Sequence, residues 1–242
     1  MMNRVTAILP AAGLGTRMGA DTPKQFLSLD GVPVLLFTLR RLAACPAITD
    51  FVISTRAEEV NSVAASVAQE RLGRPVRVVR GGDTRQDSVA NALTEVPPET
   101  DLILVHDAVR PLVTRDQIER VIAEAAACDA AILGIPAMDT VKEVKRASSQ
   151  GGAGDVALIT ATIPRERVVL AQTPQVFRAS VLLEAFGRAR ADGVSASDEA
   201  GLVERLGRDV HVVPGSDRNL KITRPGDMEL AEFYLRQERA AR

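Results

Sequence analysis

Apolar residues in this chain fall into short runs separated by stretches of helical spacing. Residues 7–9, 51–54, 76–79, 102–105 and 130–135 read as strands, several with almost no polar alternation. Strands buried on both faces have that character, which predicts a mostly parallel sheet covered by helices. Behind Thr55-Arg56-Ala57-Glu58, a possible capping box, Val60, Val63, Ala64 and Val67 recur at helical spacing. Thr114-Arg115-Asp116-Gln117 stands in the same way before Ile118, Val121, Ile122 and Ala125. The alternation of strand and helix continues to about residue 135.

The pattern then breaks. Residues 136–165 are irregular, with three glycines clustered at 151, 152 and 154. Such a cluster is too flexible for a helix or a central strand. It reads as the tip of an arm, about 137–165, flanked by possible arm segments at 140–145 and 156–163. Regular patterning resumes with helices near 179–190 and 198–206, a strand at 210–213 and an amphipathic helix from about 227. With no internal repeat and no interdomain linker, one α/β domain spanning 1–242 with a protruding arm is the simplest organisation.

Composition narrows the partners. Apolar residues make up 46% of the 242, enough for a sizeable core, and the net charge is -1. No global field therefore draws the protein to nucleic acid or to an anionic membrane, and a cationic site must be local. Cys45 and Cys128 form no C-x-x-C pair and have no histidine near them in sequence, which fits a reducing compartment. No run approaches the ~18 apolar residues of a membrane span. A soluble cytoplasmic protein is the expectation.

The candidate chemistry begins where the first strand ends. Ala11-Ala12-Gly13-Leu14-Gly15-Thr16-Arg17 is a loop of small residues with one arginine, and Lys24 follows seven positions later. Small residues let backbone N–H groups approach a polyphosphate closely, and the two cations add charge that backbone dipoles lack. The spacing is neither that of a Walker loop nor of a dinucleotide fingerprint. A nucleoside triphosphate site at the carboxyl end of a parallel strand is the reading. Asp107, ending the run 102–105, could hold Mg²⁺ beside substrate phosphates or could cap the following turn. Gly82, Asp83 and Ser88 could read a base and ribose, or form a strand-to-helix turn with Asp83 or Thr84 as N-cap. His106 and His211 sit in no metal-ligand spacing and read as packing or hydrogen-bonding residues. Ser197 is a credible helix N-cap. There is no Gly-x-Ser-x-Gly elbow and no His-Glu-x-x-His, so the chemistry suggested needs no protein nucleophile. Phosphoryl or nucleotidyl transfer, which rests on positioning and charge stabilisation, fits.

Seven motifs in order carry a resemblance: Pro-Ala-Ala-Gly-x-Gly-x-Arg-Met, Pro-Lys-Gln-Phe, Gly-Gly-x-x-Arg-x-x-Ser-Val, Val-His-Asp-Ala-x-Arg-Pro, Asp-Thr-Val-Lys, Gln-Thr-Pro-Gln-x-Phe and Asn-x-Lys-Ile-Thr. Together they resemble the 2-C-methyl-D-erythritol 4-phosphate cytidylyltransferases of the non-mevalonate isoprenoid pathway, from about residue 5 to 235. The resemblance implies a Rossmann-like nucleotidyltransferase fold. It implies transfer of CMP from CTP to 2-C-methyl-D-erythritol 4-phosphate, with 4-diphosphocytidyl-2-C-methyl-D-erythritol and pyrophosphate as products and Mg²⁺ as cofactor. By the same token Ala11, Ala12, Gly13, Gly15, Arg17 and Lys24 correspond to the loop around the triphosphate, and Gly82, Asp83 and Ser88 to the cytidine pocket. Asp107 corresponds to the metal ligand, and Arg17, Lys24 and Lys221 to the catalytic cations. Arg110, Thr140, Arg165, Thr173 and Ser197 correspond to the sugar phosphate site. The arm implies a homodimer in which Arg165 reaches the partner's site. Two departures stand out: Ser197 where the family commonly has threonine, and a glycine-rich arm tip. A ribitol-5-phosphate cytidylyltransferase is the nearest alternative, although such enzymes tend to have Ala-Gly-Gly where this chain has Ala11-Ala12-Gly13. A nucleotide-binding regulator without activity would be expected to lack Lys24, Asp107 or Lys221, and all three are present.

Overall fold

The structure is a computed structural model and describes residues 3–13, 23–146 and 157–240. Gly15, Arg17 and the arm tip at 148–154 lie outside the described residues. In chain order the strands are β1 (Val5–Pro10), β2 (Ser28–Leu29), β3 (Val32–Pro33), β4 (Ile48–Thr55), β5 (Val76–Arg80), β6 (Leu102–Val105), β7 (Ala130–Pro136), β8 (Val141–Arg146), β9 (Ala157–Ile163), β10 (Val169–Arg178) and β11 (His211–Pro214). The helices are α1 (Val34–Ala43), α2 (Val60–Gln69), α3 (Arg85–Leu93), α4 (Arg115–Cys128), α5 (Ala179–Ala191), α6 (Glu199–Glu204) and α7 (Pro225–Ala240).

Seven strands form the central sheet in the order β11-β7-β10-β6-β1-β4-β5. All neighbouring pairs are parallel except those made by β10, which runs antiparallel to both β6 and β7. The alternation of side chains explains the unbroken apolar runs. Val5, Ala7 and Leu9 of β1 pack with α1, α2 and α4 on one face, while Ile8 packs with α3, α5 and α6 on the other. A third cluster, including Leu29, Val34, Val109, Ile222 and Leu235, seats α7 over the turn after β6.

The expected strands are all present, and so is the capping box of Thr114 with Gln117. The one expected at Thr55 is not. Thr55 is the buried last residue of β4, and its hydroxyl has no hydrogen-bond partner among the described residues; a 3-10 turn, Ala57–Glu59, leads into α2 instead. Ser197 does not cap α6 either: Asp198 does, accepting from the N–H of Gly201. The arm segments form the antiparallel hairpin β8–β9, which is separate from the main sheet.

Candidate active site

The loop after β1 opens at the carboxyl edge of the sheet. Ala11 donates its N–H to Ser54 O at 2.7 Å. That donor is therefore spent on the fold, while Ala12 and Gly13 line the pocket beside it. Among the described residues, a Cβ on Gly13 would meet nothing within 4 Å. Gln25 is buried and donates its Nε2 to the carbonyls of Ala11 (2.8 Å) and Gly13 (3.1 Å). This amide staples the start of the loop to the 3-10 turn Lys24–Phe26, and so fixes where Lys24 emerges. Ala11, Ala12, Gly13, Lys24, Gly82, Asp83, Ser88, Asp107 and Lys221 all line one pocket, together with Gln25 and Arg85.

At the floor of that pocket is Asp107, buried, with three cations around its carboxylate. Arg85 Nε lies 3.0 Å from Oδ1; Lys221 Nζ and Arg110 Nε lie 2.9 Å and 3.5 Å from Oδ2. Burial opposes the charge on Asp107, but Arg85, Lys221 and Arg110 overcome it and hold the carboxyl well below the usual carboxylate range. Arg85 is itself gripped by a second buried carboxylate, donating Nη1 to Glu199 Oε1 (2.7 Å) and Nη2 to Oε2 (3.0 Å). Burial opposes the charge on Arg85, yet Glu199 and Asp107 more than offset it and raise its pKa. Three cations against two carboxylates leave this cluster net positive, in a chain with no net positive charge to spread.

Behind the carboxylate runs a buried relay. Asp107 N–H donates to Thr173 Oγ1 (3.0 Å), whose hydroxyl lies 3.0 Å from His106 Nδ1, and His106 Nε2 lies 3.1 Å from the carbonyl of Arg110. The arrangement is satisfied with the ring proton on Nε2, donated to that carbonyl. Burial lowers the His106 pKa to about 4, so the ring is neutral near pH 7. The expected structural part for His106 is what the structure shows. Thr173, expected on the sugar phosphate, has its hydroxyl committed to this relay because it points into the core beside β6.

Ser88 is also turned inward. Its Oγ accepts from Gly82 N (3.1 Å) and donates to Thr84 O (2.9 Å), so it shapes the turn rather than presenting a free hydroxyl. Thr84 is the N-cap of α3, in a reciprocal capping box with Asp87. A Cβ on Gly81 would sit 2.6 Å from Ala12 Cβ, and one on Gly82 would sit 2.3 Å from Asp87 Cβ. Asp83 stands exposed at the rim.

Lys221 is held through its neighbours. Asn219 is fully buried, donating Nδ2 to Thr173 O (2.9 Å) and Gln172 Oε1 (3.2 Å) and accepting Arg110 Nη1 on its carbonyl (2.7 Å). On the other side Ile222 is fully buried and donates its N–H to Val109 O at 2.9 Å. Gln172 is available for this because ladder pairing of β10 with β7 is interrupted between Ala171 and Gln175.

Thr140 and Arg165 do not join the pocket. Both are exposed at the root of the β8–β9 hairpin, where Arg165 Nη1 donates to Met138 O at 2.7 Å. Ser197 is exposed beside Asp198, which accepts from Gln175 Nε2 at 2.9 Å. Sequence reasoning gave no role to Arg85, Glu199, Gln25, Gln172 or Asn219. Arg85, Gln25, Gln172 and Asn219 lie inside the quoted motifs and Glu199 two positions after Ser197, but burial, which turns an ordinary polar residue into a scaffold for the site, leaves no periodic signal.

A family model described as 2-C-methyl-D-erythritol 4-phosphate cytidylyltransferase matches residues 5–237. A relative of that name from Acidobacterium capsulatum is 54% identical over 240 residues, covering 97% of this chain and 98% of its own. One from Solibacter usitatus is 51% identical over 244 residues, covering 98% of each. Among solved structures, the cytidylyltransferase of that name from Thermus thermophilus superposes with a TM-score of 0.74 at 34% identity, covering 96% of this chain and 99% of its own. A 4-diphosphocytidyl-2C-methyl-D-erythritol synthase from Anaerococcus prevotii superposes with a TM-score of 0.82 at 27% identity, covering 98% and 100%. These names decide between the two sugar phosphates in favour of the methylerythritol one.

Proposed function

The chain belongs to the 2-C-methyl-D-erythritol 4-phosphate cytidylyltransferase family and transfers CMP from CTP to that phosphate; from this premise we propose how its residues do so. The observation that carries the reading is the net positive cluster on Asp107, set beside the small-residue loop and Lys24 in one pocket. Ala12 and Gly13 offer backbone N–H groups to the triphosphate, and Lys24 and Arg17 balance its β and γ charges. Gly82 and Asp83 receive the cytidine, with Ser88 fixing their turn. One phosphate oxygen of the second substrate, already anionic, attacks the α-phosphorus of CTP in line. The bond from that phosphorus to the β-bridging oxygen breaks, and pyrophosphate leaves with the electron pair. No general base is needed. Lys221 and Arg17 stabilise the charge on the five-coordinate phosphorus.

Asp107 is a buried, ionised carboxylate at the pocket floor, and with substrate phosphates such a group suits Mg²⁺ once the triphosphate draws Lys221 away from its Oδ2. Asp107 would hold the ion, which when bound would act as a Lewis acid and template on the phosphates.

The second substrate is read across two protomers. Arg110 and Ser197 come from the chain that binds CTP, with Thr173 acting through the Asp107 backbone, whereas Thr140 and Arg165 serve the partner's site. Supporting this is the run of exposed apolar side chains on and beside the hairpin: Met138, Val144, Leu158, Ile159, Val169 and Leu170 are each at least 45% exposed. Patches of this kind mark association surfaces. The two free cysteines fit a cytoplasmic setting, and among the described residues no helix is long and apolar enough to cross a membrane.

Pyrophosphate release from CTP with Mg²⁺ tests the whole reading. Strong preference for 2-C-methyl-D-erythritol 4-phosphate over ribitol 5-phosphate is expected. Equal use of both would overturn the substrate pocket, and release with neither would overturn the activity.

A further inference from the structure

Among the described residues, one cluster outside the pocket gathers three side chains able to ligate a metal: Glu124, Cys128 and His211. Their donor atoms all lie within 4.8 Å of one another. Rigid elements set all three positions. Glu124 and Cys128 are one turn apart on α4 and share a face. His211 opens β11 and is brought alongside by register, pairing with Ala131 just after α4 gives way to β7. His211 Nδ1 is 2.7 Å from Glu124 Oε1. The Cys128 thiol has only carbonyl partners, Glu124 O at 3.0 Å and Ala130 O at 3.3 Å. Cys128 is the more accessible of the two free thiols.

From this juxtaposition we propose that Glu124, Cys128 and His211 form a binding site for a thiophilic divalent cation of the Zn²⁺ class, separate from the Mg²⁺ of the reaction. Thiolate and imidazole select zinc-like ions over magnesium, which prefers oxygen. Three protein ligands with a water in the fourth position complete a tetrahedral shell. Bonds of about 2.0–2.3 Å bring tetrahedral donors to roughly 3.5 Å from one another. Half-exposed Glu124 and His211 close that distance by rotamer adjustment. Binding replaces the S–H bond by a sulfur–metal bond, and the thiol proton goes to solvent. The Glu124 and Asp129 carboxylates put negative charge beside the thiol, which suits a cation.

The site is remote from the pocket. β11 is parallel to β7, so His211 lies at the opposite end of the strand from Pro214, where the chain turns toward Asn219 and Lys221. A metal here would clamp the edge strand β11 to α4 and stabilise the fold in proportion to its occupancy.

Titration of the metal-free full-length protein with Co²⁺, followed by Zn²⁺, tests the proposal. One equivalent of Co²⁺ is expected to give thiolate-to-metal charge-transfer absorption with tetrahedral visible bands. Zn²⁺ should displace it, and excess Mg²⁺ should not. Cys128→Ser should abolish the charge-transfer band, and His211→Ala should weaken binding by about tenfold or more. Pyrophosphate release by both variants should match the unsubstituted protein, showing that they are folded. Zn²⁺ should raise the thermal midpoint of the unsubstituted protein and not that of Cys128→Ser. Absence of the charge-transfer band, or its survival in Cys128→Ser, would overturn the proposal.

Discussion

Removing one cation from the pocket separates chemistry from folding at the scale of the residue. Asn219 and Ile222 hold the Lys221 loop, and the Gln25 amide holds the turn that carries Lys24. Lys24→Ala and Lys221→Ala should therefore fold normally and lose roughly 10²–10⁴ in kcat. Steady-state pyrophosphate release checks this, and near-normal kcat in both would remove them from the mechanism. Arg85 should behave differently. Arg85→Ala leaves Glu199 buried without its partner, at a cost of about 3 kcal/mol measured by urea unfolding. Adding Glu199→Gln should recover part of that loss; no recovery would mean that the pair is not the cause. His106 makes a pH-dependent contribution. Its folded pKa of about 4 lies below the ordinary 6.5, so from pH 6.5 down to 4 the unfolded chain binds a proton that the folded one does not. Stability from this group is complete above pH 6.5 and falls by about 3 kcal/mol on approach to pH 4. Urea midpoints of the metal-free protein across that range should show the slope, and His106→Gln should flatten it.

Elements decide how these residues meet, and not every element was legible. The strands that end at Pro10 and Val105 were, because strands covered on both faces must be apolar throughout. β10 was not. Its middle reads Gln172-Thr173-Pro174-Gln175, which looks like a loop, yet it is an interior strand of the sheet, between β7 and β6. Those polar side chains are satisfied by Asn219, His106, Asp198 and Ala200, partners distant in sequence that no local pattern reveals. α1 is hard to read because its first turn, Val34-Leu35-Leu36-Phe37, is apolar throughout and has no side-chain cap, and its polar side, Arg40 and Arg41, comes only in the last turn. The glycine pair before α3 was legible as a turn, but its reason is packing as much as ligand approach. Gly81→Ala would press on Ala12 and Ser88 Oγ and so displace the start of the loop after β1. A severalfold or larger rise in KM for CTP with little change in thermal midpoint is expected; an unchanged KM would show that the loop absorbs the contact.

At the scale of the whole molecule, one protomer brings together the described residues of the proposed CTP pocket and leaves Thr140 and Arg165 exposed on the hairpin root. If the hairpin faces of two copies meet, Ile159→Asp combined with Leu170→Asp should yield a monomer by sedimentation, with activity greatly reduced. Arg165→Ala should keep the dimer and raise KM for the sugar phosphate alone. Mixing Arg165→Ala with Lys221→Ala protomers should regenerate complete sites in about a quarter of positions at equal mixing, assayed at limiting sugar phosphate. No gain on mixing would assign Arg165 to its own chain's site. The sequence by itself determined the alternating α/β order, the small-residue loop after β1, the acidic strand end at Asp107 and the family, because each is written in contiguous residues whose spacing has a local physical cause. Only the tertiary structure decided that Arg85, Arg110 and Lys221 converge on Asp107, that Glu199 braces them, and that Ser88 and Thr173 face inward. Those contacts join residues 3 to 114 positions apart, and what makes them strong is burial, which arises only when the sheet and its helices close around them.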